Sequence, residues 1–254
     1  IAVTGNMVTT SILAIIVAAQ VWHWGWFRAI ALFSCFLVVE MIFLAANILK
    51  IPDGGWFPLV AGAGVFFLMT TWKRGRQLLS DRLKGENLNL EMFIDSISAG
   101  APTRVPGTAV FMNADPQSVP HALLHNLMHN KVLHERVVLV NVLTEDVPYV
   151  SPAERVRVEA LEFGFFRVFV RYGFKDDPDI PAALALCAPQ GLGFELMESS
   201  FFLGRETLIP RKGSPLAVWR ERLFIVMFRN AHSAAEFFSI PANRVVEFGT
   251  QVEL

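Results

Sequence analysis

Glu40 stands in the run FLVVEMIFLAANILK, with eleven uncharged residues before it and nine after it. A carboxyl in such surroundings can do two things. It can bond to a neighbouring helix as a structural group, or it can take up and release a proton, because desolvation raises a carboxyl pKa and intramembrane proton relays are built that way. Asn47 lies two turns further along and could share the same polar contact. Three histidines form the second constellation. His121, His125 and His129 recur at every fourth position, with His134 just beyond. Imidazoles four apart on a helix can share a metal ion. No Cys, Asp or Glu stands obviously beside them, so a structural or hydrogen-bonding role is favoured and no metal is expected, with His125 and His129 as the weak candidates. A pH-sensing role fits their titration near neutrality. Arg205, in FFLGRETLIP, could meet an anion, but pairing with Glu206 or another carboxylate is its favoured use.

Other chemistry is missing from the pattern. No GxGxxG, Walker loop, HExxH or GxSxG occurs, so the sequence predicts neither an enzyme nor a cofactor. A net charge of −1 gives no case for a nucleic-acid polymer as partner. The two cysteines, Cys35 and Cys187, are far apart and suit reduced thiols rather than a disulfide framework.

The elements that must position these residues divide the chain. Hydrophobic residues make up 53% of it and the mean hydropathy is +0.43. The excess is concentrated at one end: before Lys73 the charged residues are Arg28, Glu40, Lys50 and Asp53 alone. Three apolar stretches, at about 3–21, 27–49 and 56–72, each have the length of a bilayer-spanning helix. Trp22, Trp24 and Trp26 cluster with Gly25 and Arg28 at the first break, where indoles favour the headgroup level. Pro52, Asp53, Gly54 and Gly55 mark a turn at the second. Lys73, Arg74, Arg76, Arg82 and Lys84 follow the third span, which puts that end on the inner side of the membrane by the positive-inside rule. Ile1 then starts outside, and the long tail is cytoplasmic. With Ile1 as first residue and no leader pattern, the start reads as a truncation with more protein upstream. Thr4, Asn6, Thr9, Thr10 and Ser11 are polar residues suited to helix contacts, and Gly62 and Gly64 to close helix approach.

The predicted organisation is a transmembrane region at 1–74, a linker at 75–100 and an α/β domain on a mixed sheet at 101–254. Residues 79–83 extend the third helix, and NLEMFIDSIS is a short helix. The run 108–112 and ERVVLVNVL are strands, the second buried. Ser118 would cap the helix of SVPHALLHNLMHN, with Pro120 in its first turn. The alternation in ERVRVEALEF and FFRVFVRYGF predicts paired, half-exposed strands that turn near Gly164. DIPAALALCA reads as a helix, FELMESSFFLG as a strand, and RVVEFGTQVEL as the last strand. A helix starting near Ser214, in SPLAVWRERLFIVMFRNA, is apolar enough to be buried, against membrane helices or a second subunit.

AVTGNM, AANILKIPDGGWFPL, MTTWKRGRQLL, HNLMHNKVLHERVVLVNV, SFFLGRETLIP and NRVVEFGTQVEL occur in order and resemble the Kup/HAK/KT family of potassium transporters over essentially the whole chain. Asn6 departs from the family's usual Thr. The resemblance implies a LeuT-like, APC-type fold of about twelve helices in a bacterial inner membrane, with these three as the last of them. It implies potassium–proton symport by alternating access, the potassium ligands lying on upstream helices and none in this chain. Glu40 matches a position where the family is acidic. The closing VVEFGTQVEL looks like the family's natural C-terminus. The tail would be a cytoplasmic module for assembly or regulation, with a homodimer and a cyclic dinucleotide among the partners suggested. The alternative is a membrane-anchored ligand-binding or sensor module without transport of its own.

Overall fold

The structure, a computed structural model, describes residues 1–84, 88–100, 102–211 and 216–253. It divides into two compact units, Ile1–Arg74 and Gly75–Leu254.

In the first unit α1 (Ala2–Gln20) and α2 (Trp26–Ile48) form a hairpin, and a turn at Ile51–Gly55 leads into α3 (Trp56–Lys84). All three helices are long and apolar enough to cross a membrane. Only 6–11% of the most apolar window of each is buried within this chain. The buried residues of α1 and α2 are small: Ser11 and Ala18 on one helix, Ala29 on the other. Small side chains let helix backbones approach where the surroundings are as apolar as the helices. Gly62 and Gly64 have open space where a Cβ would stand, so among the described residues none makes the close approach expected there.

The second unit is built on a six-stranded sheet in the order β3-β4-β2-β1-β5-β6. The strands are β1 (Thr103–Met112), β2 (Val132–Glu145), β3 (Val156–Ala160), β4 (Phe165–Gly173), β5 (Ser199–Ile209) and β6 (Val245–Glu253). All neighbours are parallel except β3 and β4, so the sheet is mixed. A parallel sheet must be covered on both faces, and the alternation of side chains along the strands divides the core accordingly. Ala109, Phe111, Val137, Leu139, Phe165 and Phe202 face α4 (Leu90–Ala99) and α5 (His121–Asn130). Val110, Val138, Val140, Val168, Val170 and Phe201 face the other side, with Ile180, Ala183 and Leu184 of α6 (Ile180–Ala185). α7 (Val218–Arg229) and the short α8 (Ala234–Phe237) complete the unit.

Several elements differ from expectation for identifiable reasons. β4 is an interior strand, parallel to β2 on one side and antiparallel to β3 on the other, and Phe165, Val168 and Val170 are fully buried. Of the two, β3 alone is at an edge of the sheet, so the half-exposed pair is one interior and one edge strand. The turn between them does use Gly164, at φ +76, where a Cβ would lie 2.5 Å from the Glu135 carbonyl oxygen. Ser118 does not cap α5. Its hydroxyl donates to the Asp115 carbonyl at 3.2 Å, and the helix begins after Pro120 with no side-chain cap. Within 75–100 the extension of α3 and the short helix α4 both form as expected. Ser214 lies outside the described residues, and α7 starts at Val218 with one face exposed rather than wholly buried.

Asp176 holds the segment before β3 to the end of β4. Its Oδ2 accepts from the Val150 and Gly173 N–H groups at 3.0 and 2.8 Å, and its Oδ1 from Arg155 at 3.0 Å. The two backbone donors first, and the Arg155 charge after them, hold this carboxyl below the usual carboxylate range. A depressed folded pKa contributes stability that is present above the ordinary Asp value, about 3.9, and is lost as pH falls through the lower folded value. Asp176→Ala should therefore lower the melting temperature at pH 7 and converge with the parent as pH drops below about 4. A pH-independent difference in thermal melts would show that the carboxylate charge is not what holds the loop.

Candidate functional site

Glu40 meets Ser11 across the α1–α2 hairpin. The Ser11 hydroxyl donates to Glu40 Oε1 at 2.9 Å. Glu40 Oε2 is buried and takes no hydrogen bond. A charged side chain at the centre of a span costs about 2.5–3.5 kcal/mol or more, and one hydroxyl donor offsets only part of that. Among the described residues the second oxygen has no donor.

The other polar residues of these helices bond within their own helix. Thr4 donates to the Ile1 carbonyl at 3.1 Å and Thr9 to Gly5 at 3.0 Å. Thr10 donates at 2.9 Å to the carbonyl of Asn6, whose residue is exposed. Asn47 donates to the Phe43 carbonyl at 2.9 Å, one turn back, and so does not join the Glu40 contact. Ser11, which the sequence marks only as a packing residue, is the partner that matters.

The histidines of α5 line one edge of the sheet. The rings of His125 and His129 stack with centroids 5.7 Å apart, and His125 stacks in turn on Phe248 of β6. His125 Nε2 lies 3.5 Å from Thr250 Oγ1. Among the described residues no group of three or more His, Cys, Asp or Glu side chains could hold a metal. His134 packs edge-on against Phe202, and burial pushes its pKa down. Burial also pushes the Cys187 thiol up to about 11, so at neutral pH it is an inert core residue. Arg205 pairs at 3.0 Å with Glu247 on the neighbouring strand and not with Glu206, which follows it along β5.

A cavity of about 250 Å³ opens where β5 and β6 end, lined by Arg82, Leu83, His121, Arg211 and residues 250–253. His121 Nε2 is buried without a partner, and Arg211 reaches Glu253 at 3.9 Å. The carboxyl ends of parallel strands are where α/β sheets leave crevices for ligands. The sequence offers His121 and Arg82 as separate features, and nothing in their spacing connects them.

Residues 106–254 match the family model for the K+ potassium transporter C-terminal domain, and residues 1–77 match that for the K+ potassium transporter integral membrane domain. The chain belongs to the potassium transporter family. Among its relatives, "Probable potassium transport system protein Kup 1" of Dechloromonas aromatica (strain RCB) is 69% identical over 254 residues. "Probable potassium transport system protein Kup" of Azoarcus sp. (strain BH72) is 58% identical, and that of Zymomonas mobilis 49%. These matches cover 100% of this chain and 39–40% of each relative, so the chain spans about two fifths of their length. No solved structure matches it.

The Ser11–Glu40 contact is open to a direct test. In the complete protein, Ser11→Ala and Glu40→Gln, made singly and together, should show a coupling of about 0.6 kcal/mol, the average of measured interhelical polar pairs, and at most about 1.7 kcal/mol. Unfolding in detergent micelles measures it. Strict additivity would mean that the contact carries no energy.

Proposed function

We propose that this chain is the C-terminal part of a potassium uptake permease working by potassium–proton symport. Two matches of one transporter family, in series over both units, carry the reading. They favour it over a membrane-anchored sensor. The spans are the last three of a LeuT-like bundle, with the potassium ligands on helices upstream and alternating access around a midplane site. Glu40 supports the coupling half of the proposal: it is the one Asp or Glu within the three apolar stretches, and its Oε2 has no donor among the described residues. A proton taken from one side of the membrane would rest on that oxygen. The basic run from Lys73 to Lys84 supports an inner-side location for the second unit, which then serves assembly or regulation. The crevice at Arg82, His121 and Arg211 is where a cyclic dinucleotide's phosphates would find positive charge.

Growth of bacteria lacking potassium uptake systems, at limiting potassium, tests this. The complete parent protein should restore growth and the chain alone should not. Failure of a parent that reaches the membrane would remove potassium as the substrate. Glu40→Gln in the parent should abolish proton movement coupled to potassium entry while the protein still reaches the membrane. Unchanged coupling would leave Glu40 as a packing carboxyl only.

A further inference from the structure

The two edges of the sheet are finished differently. β3 is only five residues long, and its outer side is closed by a side chain. Gln190 Oε1 accepts from the Val158 N–H, and Gln190 Nε2 donates to the Val156 carbonyl, both at 2.8 Å. One amide thus takes the outward donor and the outward acceptor that a further strand would use. Arg157 and Glu159 add charge to the same strand. Short length, charge and a covered backbone are the means by which a sheet edge is kept from pairing.

β6 is finished in none of these ways. It pairs with β5 over nine consecutive residues, with no bulge and with no proline or lysine in the strand. Among the described residues no hydrogen bond reaches its backbone except those of the ladder with β5. Val246, Glu247, Gly249, Gln251 and Glu253 are exposed along it. A regular edge of this length presents a row of N–H and C=O groups to another strand. The side chains select which strand. In an antiparallel pairing of β6 with itself, two-fold about Gly249, Val246 stands opposite Val252 and Phe248 opposite Thr250. On the other face Val245 meets Glu253 and Glu247 meets Gln251. Aromatic and β-branched residues directly opposite one another stabilise such a pair, and like charges opposite one another destabilise it. Here no carboxylate faces a carboxylate, and Glu247 already has Arg205 as its counter-charge at 3.0 Å. An axis at Thr250 would instead set Glu247 against Glu253.

We propose that β6 pairs antiparallel with β6 of a second copy of this chain, about a two-fold axis at Gly249, so that the two sheets become one. The contact is isologous, the same patch on both copies, and it closes after two. It gives the assembly role of the second unit a surface, and it rests on that part of the functional reading alone.

Gly249→Cys tests the pairing in the complete protein with its other accessible cysteines replaced. A Cβ at Gly249 meets nothing within 4 Å, so the strand accepts the side chain. Residues directly opposite in an antiparallel pair have Cα atoms about 4.5–5.5 Å apart, within the reach of a disulfide. Mild oxidation in native membranes should give a cross-linked dimer, while Arg157→Cys on β3 should stay uncross-linked. Gln251→Glu on the Gly249→Cys background sets two pairs of carboxylates face to face and should reduce cross-linking about 5-fold. Gln251→Lys should not reduce it. Copies carrying Val246→Cys should cross-link to copies carrying Val252→Cys and not to one another, which keeps the test open if Gly249→Cys fails to fold. Three results overturn the proposal. Equal cross-linking at the two edges would mark random collision. A thiol at position 249 that reacts with a maleimide but forms no dimer would show an unpaired edge. A thiol that does neither would place β6 against another part of the protein or another partner. Growth at limiting potassium is read separately, so failure of the cross-link leaves the transport reading standing, and failure of growth leaves the pairing.

Discussion

The structure depends on one constraint, that every backbone N–H and C=O shielded from water must find a partner inside the protein. In hydrocarbon no solvent can substitute, so a spanning chain closes its bonds within each helix. That accounts for α1, α2 and the first half of α3, and for Thr9, Thr10 and Asn47 turning their side chains back onto their own helix carbonyls. In the second unit the same requirement is met between strands. β1 lies between β2 and β5, all parallel, and both faces are then apolar and must be covered. Helices on both sides follow from the sheet rather than from helix propensity. The core that results includes Phe111, Phe165 and Phe201, and each fully buried aromatic of this kind contributes about 1.5–3 kcal/mol.

Polar groups break this economy in one place within the spans. Ser11 of α1 and Glu40 of α2 meet across the hairpin at 2.9 Å. A stabilising role alone would be better served by an apolar pair, since a buried carboxylate costs more than one hydroxyl returns.

What could be read in advance followed from period and length. The three spans end within a residue or two of the predicted limits at five of their six ends. The sixth runs on because α3 loses its apolar character at Lys73 without losing its helical bonds. Period-two alternation located β3 and β4 but not their burial, because alternation reports which side chains share a face and not what covers the other one. β4 has Arg167 and Arg171 among its residues, which reads as a solvated face. Arg167 is instead only 16% exposed and pairs with Glu159. Depth counted from the loop that joins the helices, nine residues to Ser11 and fourteen to Glu40, would not have made the Ser11 contact recoverable. The Arg82–His121–Arg211 crevice was not recoverable either, since its residues meet only through the order in which β1, β5 and β6 join the sheet.

α3 runs unbroken from Trp56 to Lys84, and Gly75 and Leu79 of its last turns are buried. Phe224 of α7 rests on Gly75, and glycine is the residue that permits the contact, because any side chain there would hold α7 away from the helix. The packing of the second unit thus depends on a position with no side chain as much as on the aromatic that covers it.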